Sequence, residues 1–223
     1  MTVYEQIAER TATPVLDAGF AQPRLHTGSA LAKRLLDLFV AVPLLVIGAP
    51  VLLLLALWIR LDSKGPVLFR QTRHGLNGRP FEILKFRSMH VMENGDEIQQ
   101  AKEDDPRVTR AGRLMRHTSL DELPQLINVI RGEMSLVGPR PHAVAHDRLY
   151  GAVISDYLVR QRVKPGITGW AQVHGLRGAT PTVEDMQARV EHDIWYARHW
   201  SLWLDLEILL RTFGEVLRAR NAH

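Results

Sequence analysis

One long apolar segment constrains this chain more than any other feature of its sequence. Residues 38–59 read LFVAVPLLVIGAPVLLLLALWI, which is 22 positions without a charge. As a helix the segment would be about 33 Å long at 1.5 Å per residue, enough to cover the hydrocarbon core of a bilayer. A buried helix of a soluble protein is the alternative, but such helices seldom stay uncharged for so long. The segment therefore predicts insertion into a membrane.

The centre and the flanks of this segment argue against a simple crossing. Pro50 lies inside it, where a proline removes a backbone hydrogen bond and kinks a helix. Basic residues on both sides would keep both ends in the cytoplasm by the positive-inside tendency. They are Lys33, Arg34, Arg60 and Lys64. We therefore expect a re-entrant membrane helix over residues 31–62, broken at Pro50; an ordinary kinked transmembrane helix fits the same sequence equally well.

The remaining composition excludes several classes of function. The 28 Lys and Arg against 24 Asp and Glu give a net charge of only +4, and aromatics make up 7 %, so no nucleic-acid partner is indicated. The absence of cysteine rules out disulfides, thiolate zinc sites and cysteine nucleophiles. We expect residues 1–30 to form a flexible N-terminal arm and residues 63–223 to form one cytoplasmic catalytic domain.

The soluble part is predicted to be α+β and mainly helical. Two alternating stretches flank a turn that ends in Asn77–Gly78, which predicts a small β-hairpin. Period-2 geometry puts Lys85 and Arg87 on one face of its second strand. Near the C-terminus a helical stripe either packs on the core or forms an interfacial amphipathic helix. It consists of Trp203, Leu206, Leu210, Phe213 and Leu217.

Two adjacent carboxylates are the strongest candidates for chemistry. Ser119 and Glu122 match a capping box, but Pro124 also allows a helix that begins later and leaves Asp121 and Glu122 on the approach to it. Both alternatives put Asp121 beside a helix N-terminus, which favours an ionised carboxylate and can bind phosphate. Asp121 could attack phosphorus while Glu122 helps to hold Mg²⁺.

Two arginines are placed to serve these carboxylates. Arg140 lies between Pro139 and Pro141, and this rigid turn suits bidentate binding of phosphate. Arg116 follows a run of arginines and stands close before the carboxylates. Such cations attract phosphate groups, whether on a substrate or on lipid.

The order of the motifs resembles that of a known family. After the apolar segment come GPVLFRQTRHG, FEILKFRSM, DPRVTRAGRLMRHTSLDELPQLINVIRGEMSLVGPRP and VKPGITGWAQV. This order resembles the bacterial sugar transferase family, the monotopic phosphoglycosyl transferases that start exopolysaccharide and glycoconjugate assembly. The resemblance runs from about Lys33 to the C-terminus. One departure is Ala49–Pro50, which stands where the family has a Ser-Pro pair at the helix break.

The resemblance implies a reaction and its residues. Asp121 is expected to attack the β-phosphate of a UDP-sugar, forming a covalent sugar phosphate and releasing UMP, with Glu122 as the partner of Mg²⁺. Undecaprenyl phosphate then accepts the sugar phosphate. Lys85, Arg116 and Arg140 are implied to bind phosphate, and Arg87 and Arg73 are further candidates.

The resemblance also implies a location and a donor. It places the protein at the bacterial inner membrane, in contact with lipid, with its catalytic domain on the cytoplasmic face. The strings GLRGATPT and YARHWSLWLDLEIL resemble the branch that transfers glucose or galactose, so glucose is the first expectation and galactose the second. Exposed apolar surfaces are compatible with a homodimer. The rival hypotheses are a one-step transferase in which Asp121 is a base, and an inactive scaffold on the membrane surface.

Overall fold

The computed structural model describes residues 27–90 and 105–218, and helices dominate both ranges. The predicted arm lies outside them except for residues 27–30, which begin the first helix. The helices are α1 (Thr27–Asp62), α2 (Arg110–Thr118), α3 (Gln125–Arg131), α4 (Val144–Gly151), α5 (Trp170–Val173), α6 (Val183–His199) and α7 (Leu202–Arg218). The strands are β1 (Leu68–His74), β2 (Pro80–Phe86), β3 (Ser135–Val137) and β4 (Gly166–Thr168). Short 3₁₀ turns cover Leu76–Gly78, Leu120–Glu122 and Tyr157–Arg162. The mainly helical α+β prediction is confirmed.

Helix α1 contains the whole apolar segment, with Pro43 and Pro50 inside it. It is long and apolar enough to cross a membrane. Much of its middle is exposed, for example Val46 at 66 % and Ile47 at 77 %. An apolar surface of this length in water would be unfavourable, so the helix associates with a membrane.

Both halves of α1 nevertheless pack against the soluble elements. In the first half, Ala41 joins the main core, whose members from α3, β3, α6 and α7 include Val129, Val137, Tyr196 and Ile208. In the second half, a separate cluster forms around the end of β2 and the start of α2. It comprises Leu55, Ile59, Phe86, Ala111 and Met115.

Polar contacts attach the start of α1 to the soluble elements α3, β3 and α7. Lys33 donates from Nζ to Asp205 Oδ2 at 2.6 Å and to the carbonyl of Val137 at 3.0 Å. Arg34 donates to the carbonyls of Val129 and Ile130 at the end of α3, both at 2.6 Å. The basic residues before the apolar segment therefore hold soluble elements in place in addition to any effect on membrane orientation.

The predicted hairpin is confirmed. Strands β1 and β2 pair antiparallel with Leu68 opposite Phe86 and His74 opposite Pro80. The turn between them has Asn77 at φ 55° and Gly78 at φ 72°, the left-handed conformations that this pair of residues tolerates.

Two glycine-rich turns touch through their backbones beside the parallel pair of β3 and β4. A Cβ atom on Gly138 would lie 2.2 Å from the carbonyl oxygen of Lys164, and one on Gly166 would lie 2.1 Å from the nitrogen of Gly138. Only glycine allows this approach, which fixes the turn that carries Arg140.

We expect Gly166→Ala to destabilise the protein, because the added methyl group meets backbone atoms that cannot move aside. Overpacking of this kind costs about 1–3 kcal/mol, and a thermal melt of the purified protein in detergent would show a Tm several degrees lower. Gly214→Ala is the matched control, because nothing lies within 4 Å of its added methyl group. Equal Tm values for the two variants would contradict the close backbone contact.

Candidate active site

The two carboxylates lie on a tight connection between two helices. Helix α2 ends at Ser119, whose φ of 60° is left-handed, and a 3₁₀ turn then carries Asp121 and Glu122. Helix α3 begins only after Pro124. The later helix start is therefore confirmed, and the capping box is wrong. Ser119 closes the preceding helix, and its hydroxyl makes no capping hydrogen bond to the turn that follows.

Glu122 is held by two cations from separate parts of the chain. Its Oε1 accepts from Lys85 Nζ of β2 at 3.0 Å. Arg140 binds both oxygens, with Nη1 3.0 Å from Oε2 and Nη2 in a short contact with Oε1. Burial opposes ionisation of this carboxyl, but the charges and hydrogen bonds of Arg140 and Lys85 outweigh it and hold the pKa of Glu122 well below its ordinary value.

Asp121 has a different environment although it is the next residue. It is 9 % exposed, and no described residue donates a hydrogen bond to its side chain. Burial and the neighbouring charge of Glu122 raise the pKa of Asp121 to about 6, against the opposing effects of Lys85, Arg116 and Arg140. Near neutral pH most of this carboxyl is therefore ionised, and no described hydrogen bond occupies its oxygens.

The structure brings together three of the four predicted phosphate-binding cations. Lys85 and Arg140 contact Glu122, and Arg116 lies near enough to Asp121 to lower the pKa of that carboxyl. Arg73, which like Arg87 is a further candidate, is also nearby, since the charges of Arg140 and Glu122 both affect its pKa.

The fourth cation, Arg87, is directed elsewhere. Its Nη2 donates to the carbonyl of Ser63 at 2.7 Å and lies 3.4 Å from the carbonyl of Ile59, at the end of α1. These contacts hold the end of α1, and binding of phosphate by Arg87 stays a prediction. Strand β2 ends at Phe86, and the unpaired carbonyls at a helix C-terminus attract a cation strongly.

A buried network fixes the backbone of Arg140. Arg160 is 3 % exposed, pairs with Asp193 at 2.7 Å and donates to the carbonyl of Arg140 at 2.5 Å. It also donates from Nη1 to His142 Nδ1 at 2.8 Å, and burial holds the pKa of that histidine well below its ordinary value. A neutral His142 with this partner serves as structural support. The turn that presents Arg140 is thus rigid on its inner side as well as through its prolines.

Sequence reasoning missed two arginines that help to build the site. Arg160 acts through the network above, and Arg177 donates to Ser119 Oγ at 2.6 Å, beside the carboxylates. Neither lies in a pattern that distinguishes it from a surface arginine. Arg177 reaches a partner 58 positions away, so no local spacing could have indicated the contact.

Comparisons with known proteins identify one family for this chain. The bacterial sugar transferase family matches residues 28–219. A relative from Caulobacter vibrioides (strain ATCC 19089 / CIP 103742 / CB 15) is 57 % identical over 193 residues, covering 86 % of this chain and 72 % of the relative. One from Escherichia coli (strain K12) is 54 % identical over 182 residues, covering 82 % of this chain and 39 % of the relative. Both are named UDP-glucose:undecaprenyl-phosphate glucose-1-phosphate transferase.

A third relative is similar to this chain over nearly the whole length of that relative. The exopolysaccharide production protein PSS of Rhizobium leguminosarum bv. phaseoli is 44 % identical over 194 residues, which are 85 % of this chain and 97 % of that protein. By contrast, the chain spans about two fifths of the Escherichia coli relative.

A carboxylate among cations, in a domain packed against a membrane-associated helix, suits an enzyme that acts on phosphate groups near a membrane. The chain belongs to the bacterial sugar transferase family. It is accordingly a phosphoglycosyl transferase, as the motifs predicted.

We expect Glu122→Gln to destabilise the protein, because it leaves Lys85 and Arg140 without the charge that compensates them. Hydrogen bonds to charged groups contribute about 1.5–3 kcal/mol, and chemical or thermal unfolding would report the loss. Glu82→Gln is the control, since its pair with Arg70 is solvent-exposed and 3.7 Å long. Equal free energies of unfolding for the two variants would show that the buried ion pairs of Glu122 stabilise the protein no more than the exposed pair of Glu82.

Proposed function

We propose that this enzyme transfers glucose 1-phosphate from UDP-glucose to undecaprenyl phosphate through a covalent intermediate on Asp121. The observation that carries this proposal is the free carboxylate of Asp121 among Lys85, Arg116 and Arg140. A carboxylate meets a diphosphate only where cations offset their repulsion, and this site provides them. The same free carboxylate oxygen would suit a base in a one-step transfer, so only trapping of the sugar phosphate on the protein separates the two roles.

The transfer proceeds in two displacements at one phosphorus atom. An Asp121 oxygen forms a bond to the phosphorus that carries the sugar, and the bond from that phosphorus to the bridging oxygen breaks. UMP leaves with the electron pair. An oxygen of undecaprenyl phosphate then attacks the same phosphorus, and the bond to Asp121 breaks. Because the transferred group stays in one place, one set of cations serves both steps.

We also propose that Mg²⁺ takes part. The carboxylates of Asp121 and Glu122 fit the ion in kind, because Mg²⁺ binds one or two carboxylates and completes its shell with water and phosphate oxygens. Within the described ranges, no three potential ligands cluster, so substrate oxygens would be needed. Both Glu122 oxygens accept from Lys85 or Arg140, so this residue is available only once phosphate takes over those cations. When bound, Mg²⁺ neutralises charge on the diphosphate.

Similarity supports glucose as the sugar. Relatives at 57 % and 54 % identity are named for UDP-glucose, whereas a relative at 41 % identity from Aeromonas hydrophila is named for UDP-N-acetylgalactosamine. Galactose is the second proposal. The name of the Rhizobium leguminosarum relative supports a role in exopolysaccharide production.

We expect Asp121→Asn to abolish the release of UMP. The amide has the same shape but cannot attack phosphorus, so the loss should exceed a hundredfold in an assay with Mg²⁺, UDP-glucose and undecaprenyl phosphate. The same assay with UDP-galactose and UDP-N-acetylgalactosamine identifies the donor. Full activity of Asp121→Asn would end the assignment of the nucleophile.

The raised pKa of Asp121 sets the acid limit of the reaction. Since only the ionised carboxylate attacks, kcat/KM for the donor should fall about tenfold per pH unit below pH 6 and level off above pH 7. In Glu122→Gln the acid limb should move to lower pH, because the repelling charge is gone. Rates that stay constant down to pH 4.5 in the unaltered enzyme would contradict this assignment.

We propose that α1 enters and leaves the membrane on the cytoplasmic side. The support is that Lys33 near its start and Asp62 at its end both bind soluble elements of one domain: Lys33 pairs with Asp205, and Asp62 Oδ2 accepts from the nitrogen of Ala111 at 3.0 Å. A helix that crossed the bilayer could not have both ends on one side. Pro50, in the exposed middle, is the natural point for the bend.

Helix α7 supports the same placement. Its inner face, with Leu204 and Ile208, packs on the core, while Trp203 at 77 % and Phe213 at 66 % stay exposed. The stripe identified in the sequence is thus not the packing face as far as its side chains are described. We propose that it lies in the interface of the bacterial inner membrane, where tryptophan is favoured. A homodimer remains a prediction.

Single cysteines can test the path of α1, because the chain has none of its own. We expect Ala30→Cys, in the first turn of the helix, and Lys64→Cys, just after its end, both at exposed positions, to be protected from a membrane-impermeant maleimide added outside intact cells. Both should react after the cells are opened. Labelling of one of the two from outside would establish a spanning helix instead.

A further inference from the structure

We infer that Arg177 is a further substrate-binding residue, which holds the phosphate that leaves with the nucleotide. This inference rests on the proposed function, because it assigns a role within the first of the two displacements. Arg177 lies after α5, in the connection to α6.

The surroundings of Arg177 differ from those of Lys85 and Arg140. Its Nη2 donates to Ser119 Oγ at 2.6 Å, two residues before Asp121. In the described part of the chain no carboxylate lies within ion-pair distance of it. Lys85 and Arg140, by contrast, are both compensated by Glu122. Arg177 is therefore a positive charge close to Asp121 that no described carboxylate neutralises, and it can bind an anion.

Its electrostatic environment agrees with this view. Burial, followed by the charge of Arg140, lowers the pKa of Arg177, while the charges of Glu122, Asp121 and Glu215 act against the shift. A guanidinium remains charged despite such a shift, so its partial desolvation is a cost in the free enzyme. Binding of a phosphate would recover that cost.

A hydrogen bond from α6 holds the turn that carries Arg177. Arg189 of α6 is 7 % exposed and donates from Nη2 to the carbonyl of Gly178 at 2.6 Å. Gly175, at φ 83°, adopts a left-handed conformation that a side chain would strain. Contacts on both sides of Arg177 thus hold its backbone and its guanidinium, and a fixed cation loses little entropy on binding.

The division of labour follows from the order of the two steps. The transferred phosphoryl group stays in place during both steps. Lys85 and Arg140 are the cations that bind it. The phosphate of UMP occupies the site only in the first step, when the bonding pair moves onto its bridging oxygen. Arg177, on the side of Ser119, is a cation without a described carboxylate partner and is placed to stabilise that charge.

Titration of the full-length enzyme with UMP in lipid nanodiscs tests the inference. We expect Arg177→Gln to weaken UMP binding about tenfold, equivalent to about 1.4 kcal/mol, and Arg177→Lys to weaken it less. Ser119→Gly, which suits the left-handed φ but removes the hydroxyl, should have a smaller effect of the same sign. Arg148→Gln, at an exposed position of α4, is the control and should bind UMP normally.

A second readout separates the two steps. From enzyme already carrying the sugar phosphate, transfer to undecaprenyl phosphate should be as fast in Arg177→Gln as in the unaltered enzyme, within about twofold, while formation of the intermediate is slowed. Normal UMP affinity in Arg177→Gln, an equal loss in Arg148→Gln, or equal slowing of both steps would overturn the inference. Absence of UMP binding by the unaltered enzyme would refute the proposed function, and this inference with it.

Discussion

The ion pairs of Glu122 with Lys85 and Arg140 are the interaction on which the rest of the site depends. They join a hairpin strand, a proline-bounded turn and the connection between two helices at one carboxylate. Once these cations are bound, Glu122 stays ionised, and its charge helps to raise the pKa of Asp121. Two adjacent carboxyls thereby acquire different properties: Glu122 is held by two cations, and Asp121 has a raised pKa and no described hydrogen-bond donor. A chemical difference arises from contacts, although the two residues are neighbours in the chain.

The membrane-associated helix α1 also helps to position the elements that form the site. Lys33 binds the carbonyl of Val137, just before the turn of Arg140, and Arg34 binds the end of α3, which follows the carboxylates. At its other end Asp62 binds the start of α2, the helix that carries Arg116. Elements on both sides of the site are therefore attached to one membrane-associated helix. Such an arrangement couples the depth of the anchor to the position of the reacting groups.

Local signals explain what could be predicted from the sequence. The apolar segment, the Asn77–Gly78 turn and the rigid turn of Arg140 depend on neighbouring residues, and such preferences are visible in sequence. The capping box failed because Ser119 was already committed to ending α2. The placement of Arg87 and Arg177 depends on partners 24 and 58 positions away, so periodicity could not indicate either.

Mass spectrometry of the intact protein tests most directly whether Asp121 carries the sugar phosphate covalently. Enzyme mixed with UDP-glucose and Mg²⁺, without lipid acceptor, should gain the mass of one hexose phosphate, on the peptide that contains Asp121. Undecaprenyl phosphate should then remove it. An enzyme that stays unmodified under these conditions, yet transfers glucose 1-phosphate when the lipid is present, would contradict the account.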